Sequence, residues 1–285
     1  MRKIYKIIVC FLFLIIIIGD EYETPLLTVY FFDVGQADCA YLSLPNGENM
    51  LIDCGNTLDG SRIVNYLSLM GVKKIEHLVL THPHEDHIGG ADNIINSFSI
   101  NRVYTPQIDN NTLCFMELES SIKRQGIYKE TLSYGKTIIK EGFLEIICLS
   151  PTRKIYEELN EYSVVLNLRF FKNTFLFMGD AEKENEKDLL SRNVLSDCDL
   201  IKIGHHGSKT SSNEKFIKTT APEYAIISVG DKNTFGHPNK KVLQRLENAG
   251  AEIYRTDLCG TVIAECDGRK IEIHTSDICL DGDVF

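Results

Sequence analysis

From Thr28 to Cys266 the chain is a succession of short apolar runs, each of strand length, separated by turn residues or by segments with helical spacing. TVYFFDV (28–34), CAYLSL (39–44), MLIDC (50–54), HLVLT (77–81) and FLEIICL (143–149) come first. SVVLNLRFF (163–171), TFLFMGD (174–180), DLIKIG (199–204), EYAIISVG (223–230), AEIYRT (251–256) and TVIAEC (261–266) follow. Helical patterns fall between them: RIVNYLSLM, ADNIINSF, FMELESSIKRQ, EKENEKDLLSR, NEKFIKT and KKVLQRLENAG. In the last of these, Pro238 stands at the first turn, Val242, Leu243, Leu246 and Ala249 share a face, and Gly250 is the stop. Early hairpin-like strands followed by strand–helix alternation predict an α/β protein with two sheets face to face and helices outside. No linker rich in Pro, Gly or Ser interrupts the pattern, so residues 26–275 read as one domain.

The two ends differ from the body. Arg2, Lys3 and Lys6 precede an uninterrupted apolar run from Ile7 to Ile18, which is shorter than the roughly 20 residues of a bilayer span. Residues 1–25 therefore read as a signal peptide or an N-terminal membrane anchor, and the body as extracytoplasmic, secreted or membrane-anchored. Contact with the membrane is through this segment if it is retained. Residues 276–285 read as a loose acidic tail. Nine cysteines in an exported chain suggest disulfides. Yet Cys39, Cys148 and Cys266 sit in or beside strand-like runs and no CxxC spacing occurs, which points to buried free thiols. A net charge of -10 argues against broad, charge-driven nucleic-acid binding. A polyanion would have to be held locally, by a metal and a few lysines.

The chemistry concentrates where strands end. THPHEDHIGG (81–90) follows the strand HLVLT and opens a helix near Gly89, placing His82, His84, Asp86 and His87 in one strand-to-helix loop. Imidazole and carboxylate together suit zinc, manganese or iron. Asp180 ends the strand TFLFMGD, and His205 and His206 follow DLIKIG. Asp180 also competes as a helix N-cap ahead of AEKENEKDLL. Residues at the carboxyl ends of neighbouring strands gather along one rim, so these separated motifs are expected to meet.

In these stretches, together with DVGQAD (33–38), LIDCG (51–55), NEYSVVL (160–166), FMGDAE (177–182), IKIGHHGSKTSS (201–212), FGHP (235–238) and YRTDLCG (254–260), the chain resembles the metallo-β-lactamase fold superfamily. Within it, the likeness is to the domain of that fold in the ComEC/Rec2 competence group. The resemblance implies a four-layer αββα sandwich of two mixed sheets with one or two divalent ions, Zn2+ or Mn2+, at its rim. It implies His82 and His84 for a first ion, Asp86 and His87 for a second, Asp180 as the bridge and His205 as the remaining ligand, with His206 the structural member of that pair. Asp53, Asp33 and Asn160 would support the ligands from behind. Dinuclear members usually carry another histidine between the first motif and the bridging aspartate, whereas this chain has none between His87 and His205.

The expected reaction is metal-assisted hydrolysis of a phosphodiester, DNA among the candidates, with Asp86, Lys209 and His237 in the chemistry. Lys202, Ser208, Lys209, Thr210 and His237 would bind the phosphate. Two alternatives accompany this expectation: hydrolysis of another ester, a thioester or a lactam, and a non-catalytic binding or assembly module with a degraded metal centre. No channel-like set of apolar helices accompanies the domain, so transport is not expected of this chain alone.

Overall fold

The computed structural model describes residues 25–276. The first half runs β1 (Leu27–Phe31), β2 (Ala40–Ser43), β3 (Asn49–Ile52), α1 (Gly60–Leu69), β4 (Lys74–Val79), α2 (Glu85–Ile88), α3 (Ala91–Ser97), β5 (Ser99–Thr105), α4 (Leu113–Gln125) and β6 (Tyr128–Thr131). The second runs β7 (Thr137–Glu141), β8 (Leu144–Ser150), β9 (Val165–Phe170), β10 (Asn173–Phe177), α5 (Lys183–Arg192), β11 (Leu200–Lys202), α6 (Glu214–Thr220), β12 (Tyr224–Ile227), α7 (Lys240–Ala249) and β13 (Glu252–Arg255). After α8 (Thr256–Cys259), strands β14 (Thr261–Cys266) and β15 (Ile271–Ser276) return to the first sheet.

The first sheet has the order β15-β14-β1-β2-β3-β4-β5-β6 and the second β13-β12-β11-β10-β9-β8-β7. Both are mixed: β3 to β6 run parallel to one another, as do β10 to β13, and the remaining pairs are antiparallel. Strand periodicity explains the layering. Phe175 and Phe177 of β10 join Phe31, Leu42, Met50 and Leu166 in the apolar core between the sheets, where the Phe31 and Phe177 rings stack at 6.0 Å. Leu176, between them in sequence, belongs to an outer core with Leu189, Phe216 and Leu246 of α5, α6 and α7. Leu51 and Leu78 likewise join Ile63, Ile94 and Leu118 of α1, α3 and α4. Three cores between four layers make the αββα sandwich.

Several elements depart from the sequence reading. Strands β5, β6, β7 and β15 carry mixed polar patterns such as SINRVYT and YKET, and three of them lie at sheet edges where one face is wet. Pro238 stands before α7 rather than in its first turn; the cap is Asn239, whose side chain accepts the Lys241 N–H at 3.0 Å. Asp180 does not cap α5. Glu182 is the N-cap, and its backbone N–H is taken by the Asn185 side chain at 3.1 Å, which leaves the Asp180 carboxylate for other work. Cys39, Cys54, Cys114, Cys148, Cys198 and Cys266 are free and buried, and Cys259 is free and half-buried. Among the described residues no helix is long and apolar enough to cross a membrane. The expected leader and acidic tail lie outside the described residues, save for Pro25 and Ser276 at their borders.

Candidate metal centre

The parallel strands of both sheets deliver their carboxyl ends to one rim. Beyond β3 comes Asp53, beyond β4 Thr81 and His82, beyond β10 Asp180, beyond β11 His205 and His206, and beyond β12 Ser228. The loop after β4 closes on itself: His84 caps the single turn of α2, its carbonyl accepting the N–H groups of His87 and Ile88 at 3.1 and 3.0 Å. Gly89 and Gly90 then pass against the chain after β3. A Cβ there would lie 2.3 Å from Thr57 N or 2.4 Å from Cys54 O, so the glycine pair is dictated by backbone contact.

Asp86, His87, Asp180 and His206 converge, with one ligand-capable atom from each inside a 4.8 Å span. His87 Nε2 lies 3.3 Å from Asp180 Oδ1 and 3.8 Å from Asp86 Oδ2. His206 Nε2 lies 3.1 Å from Asp86 Oδ2 and 3.9 Å from Asp180 Oδ1. His87 and Asp180 are almost fully buried, yet His87 Nε2 and Asp180 Oδ1 have no hydrogen-bond partner. Two orphaned buried atoms aimed at one point are costly unless something binds both.

The other nitrogen of each ring shows what they are set to do. His87 Nδ1 is 2.7 Å from Asp53 Oδ2, and His206 Nδ1 is 2.9 Å from the Ser228 carbonyl. A carboxylate and a carbonyl only accept, so each Nδ1 carries the proton and each Nε2 faces Asp180 or Asp86. Asp53 is itself fixed by the Thr81 N–H and hydroxyl at 2.8 and 2.7 Å. Rings held this way behind the ligating nitrogen are the usual support of a metal-binding histidine.

The electrostatics agree. Burial opposes a charged His87, but Asp180, Asp53 and Asp86 prevail and raise its pKa well above the ordinary value. Burial likewise opposes a charged His206, yet Asp180 and Asp38 push it up to about 10. Asp180 is held well below the carboxylate range: burial opposes this, and His87 and His206 outweigh it. Asp86, in the same balance of burial against His87 and His206, falls to about 2. Protons on two rings thus balance buried carboxylates at a spot where a divalent cation would do the same. His82 and His84 are held down instead, first by burial, and stay neutral. The donor set, the orphaned atoms and the charge balance all fit a divalent ion.

The other residues expected from sequence fall into three groups. His82 and His84 lie beside the cluster, His82 Nε2 being 3.0 Å from His84 Nδ1 and 4.0 Å from Asp180 Oδ2. Of the tandem histidines, His206 joins the tight cluster rather than only supporting it, while His205 Nε2 lies 3.8 Å from Asp180 Oδ2 and its Nδ1 pairs with Glu182 Oε1 at 2.7 Å. Three expected phosphate contacts point elsewhere. Lys202 is only 4 % exposed, its Nζ 2.8 Å from Asp38 Oδ2 and donating to the Ile203 carbonyl at 2.9 Å. Ser208 is buried against Thr210, whose hydroxyl donates to Glu182 Oε1 at 2.9 Å. Lys209 remains exposed. His237 is half-buried, its ring 5.4 Å from that of His205, and burial beside His205 and His206 brings it down to about 4. Its ring is therefore neutral near pH 7 rather than a ready acid. Asn160 donates to Glu182 at 3.2 Å, and Asp33 accepts the Gly35 N–H at 3.1 Å in its own turn. Glu182, Thr81 and Ser228 were not singled out from sequence; only the position of Glu182, two residues past Asp180, hinted at a role.

A family model described as the metallo-beta-lactamase superfamily matches residues 32–231. ComE operon protein 3 of Bacillus subtilis is 31% identical over 81% of the chain, and Recombination protein 2 of Haemophilus influenzae 30% identical over 94%. Competence protein ComA of Neisseria gonorrhoeae is 26% identical over 81%. The chain spans about a third of the length of each: 32%, 32% and 31%. Among solved structures, the metallo-beta-lactamase fold protein YhfI from Bacillus subtilis superposes with a TM-score of 0.53 at 11% identity, over 84% of this chain and 100% of its own. Igni18 from Ignicoccus hospitalis gives 0.53 at 15%, over 84% and 98%.

Proposed function

The chain belongs to the metallo-β-lactamase superfamily, and from that premise we propose that it is a metal-dependent hydrolase of phosphodiesters, with DNA as the favoured substrate, acting outside the cytoplasm. The observation that carries the reading is the convergence of Asp86, His87, Asp180 and His206 with buried, unpartnered atoms at its centre. A degraded centre would lose such atoms first, which favours the catalytic reading over a non-catalytic module.

These residues would hold a divalent ion, which when bound would supply an acidified water and positive charge for the phosphate oxygens. The rest of the work belongs to the protein. Asp53 and Ser228 fix the orientation of the His87 and His206 rings. Asp86 and His205 remain partly open to solvent, which leaves the substrate an approach. Exposed Lys209 attracts the phosphate oxygens, and His237 contributes a neutral hydrogen bond beside them. Zn2+ and Mn2+ both suit an imidazole–carboxylate set. DNA is favoured because the relatives are named for competence and recombination, and location outside the cytoplasm follows the basic–apolar N-terminal pattern, through which the membrane would be a partner.

The test is turnover by the full chain, loaded with Mn2+ or Zn2+, of a panel containing bis-p-nitrophenyl phosphate, single- and double-stranded DNA, a lactam and a thioester. Hydrolysis confined to the phosphodiesters and lost in Asp86→Ala supports the reading. Hydrolysis of the lactam or thioester instead, or of nothing, refutes it.

A further inference from the structure

Phe235 is the exposed end of a file of rings that starts in the metal cluster. The rings of His206, buried in the cluster, and of half-buried His237 lie 6.3 Å apart with their planes 25° from parallel. His237 and Phe235 repeat the arrangement at 5.8 Å and 25°. Phe235 is 69 % exposed and belongs to none of the three apolar cores. A single exposed apolar side chain is ordinary on a protein surface. This one differs in what it adjoins and in how firmly it is held.

The loop that carries it, residues 230–239, is pinned at both ends and across its middle. Asn233 Nδ2 donates to the carbonyls of Gly230 at 3.0 Å and His237 at 2.7 Å, and Asn233 Oδ1 accepts the His237 N–H at 3.1 Å. The Gly230 N–H donates to Gln36 Oε1 at 3.1 Å. At the other end the Asn239 N–H donates to the Gly207 carbonyl at 2.8 Å, and a Cβ on Gly207 would lie 2.7 Å from Pro238 Cβ. Gly207 closes the turn in which His205 and His206 are both left-handed, with φ 48° and 51°. The Phe235 loop is thus fastened to the turn that sets the histidines of the rim, and a surface held in advance binds at lower entropic cost.

The spacing suits one kind of ligand. In a nucleotide the sugar separates phosphate from base, and here the His237 ring separates the cluster from Phe235. With a phosphate at the cluster, the neighbouring base has a path along the file to the Phe235 face. Stacking needs a bare base. In a duplex each base is covered by its neighbours, whereas unpaired bases splay onto aromatic side chains. A net charge of -10 provides no broad hold on a polyanion, so a local contact of this kind has more of the binding to supply.

We propose that Phe235 is a stacking platform for the nucleobase beside the scissile phosphate, and that it selects single-stranded nucleic acid over duplex and over base-free phosphodiesters. It sets specificity and touches no reacting atom. This rests on the phosphodiester reading above and adds the form of substrate the site prefers.

Two ratios test it, both in the full chain with Mn2+. The first is kcat/KM for thymidine 5′-(p-nitrophenyl phosphate) over methyl p-nitrophenyl phosphate, which share a leaving group and differ in the base. The second is the affinity, by fluorescence anisotropy, for a phosphorothioate-linked oligothymidylate over an abasic oligomer of equal length and linkage. Wild type is expected to favour the base-bearing member in both, and Phe235→Ala to cut each ratio about 5- to 100-fold, the size of one base–aromatic stack. Phe235→Trp should keep both ratios. Phe235→Leu, apolar without an aromatic face, should behave as Phe235→Ala. Ratios unchanged in Phe235→Ala, a Phe235→Leu variant equal to wild type, or a wild type that treats base-bearing and base-free members alike would overturn the platform and leave phosphodiester hydrolysis standing. Turnover of neither ester, with an affinity ratio that still depends on Phe235, would refute the hydrolase reading and leave the platform in a binding role.

Discussion

Lys202→Met separates two views of the stretch KIGHHGSKTSS. If Lys202 met a phosphate, its loss would weaken substrate binding and leave the fold untouched. In the structure it is 4 % exposed, paired with Asp38 Oδ2 at 2.8 Å, and Asp38 is 5 % exposed. Burial works against the Asp38 charge, and Lys202 and then His206 overcome it, holding the carboxyl well below the ordinary range. Removing one partner of a buried pair leaves an uncompensated charge, which typically costs 3–5 kcal/mol. At 2–4 °C per kcal/mol for a domain of this size, the melting temperature should fall by roughly 10 °C. Asp38→Asn combined with Lys202→Met should recover most of the loss, because neither charge then stands alone. Urea and thermal denaturation of the two variants and wild type, in chelator, give the energies; turnover at saturating metal gives KM. Wild-type stability in Lys202→Met, with a raised KM for a phosphodiester, would refute the structural role and return the lysine to the substrate.

Two further outcomes follow from the same structure. Burial pushes Glu186 up to about 7 from 4.5, against the opposing N–H donors of Asn213 and Ser212. The folded state therefore keeps a proton that the unfolded chain has released; this contribution is fully present below pH 4.5 and declines as pH rises towards 7, by about 3 kcal/mol on the linkage relation. Glu186→Gln should lose that slope in urea midpoints measured from pH 5 to 8, whatever its effect on absolute stability, and an unchanged slope would contradict the assignment. Gly90→Ala places a Cβ 2.4 Å from Cys54 O and 2.7 Å from Gly60 Cα. Overpacking against backbone should cost about 1–3 kcal/mol and reduce metal affinity through the displaced loop, and a variant indistinguishable from wild type by both measures would show the approach to be slack.

Much of the site was legible because its parts are local. THPHEDHIGG carries its ligands within one short stretch and its glycines where two backbones touch, and the run TFLFMGD places Asp180 just beyond a strand. What was not legible depends on long-range placement or on backbone conformation. Nothing in DLIKIGHHGS states that both histidines are left-handed, so which ring goes where could not be read. Lys202 looked like a phosphate contact because its partner, Asp38, lies far away in the chain and meets it only when β11 and the DVGQAD turn are brought together. In sequence Glu182 is only part of a helix start, and it is one, but its carboxylate is also turned to His205. The strands β6, β7 and β15 leave little trace in the sequence because edge strands need bury only part of one face.

The central claim is that hydrolysis depends on a divalent ion held around Asp180. The most direct measurement is the rate of bis-p-nitrophenyl phosphate hydrolysis by the full chain and by Asp180→Asn, each with Mn2+ or Zn2+ and each after chelation. In wild type, chelator should abolish turnover and metal restore it, and Asp180→Asn should lose about 100- to 1,000-fold even at saturating metal, a size typical of removing electrostatic stabilisation from a transition state. Turnover that survives chelation, or an Asp180→Asn variant as active as wild type, would contradict it.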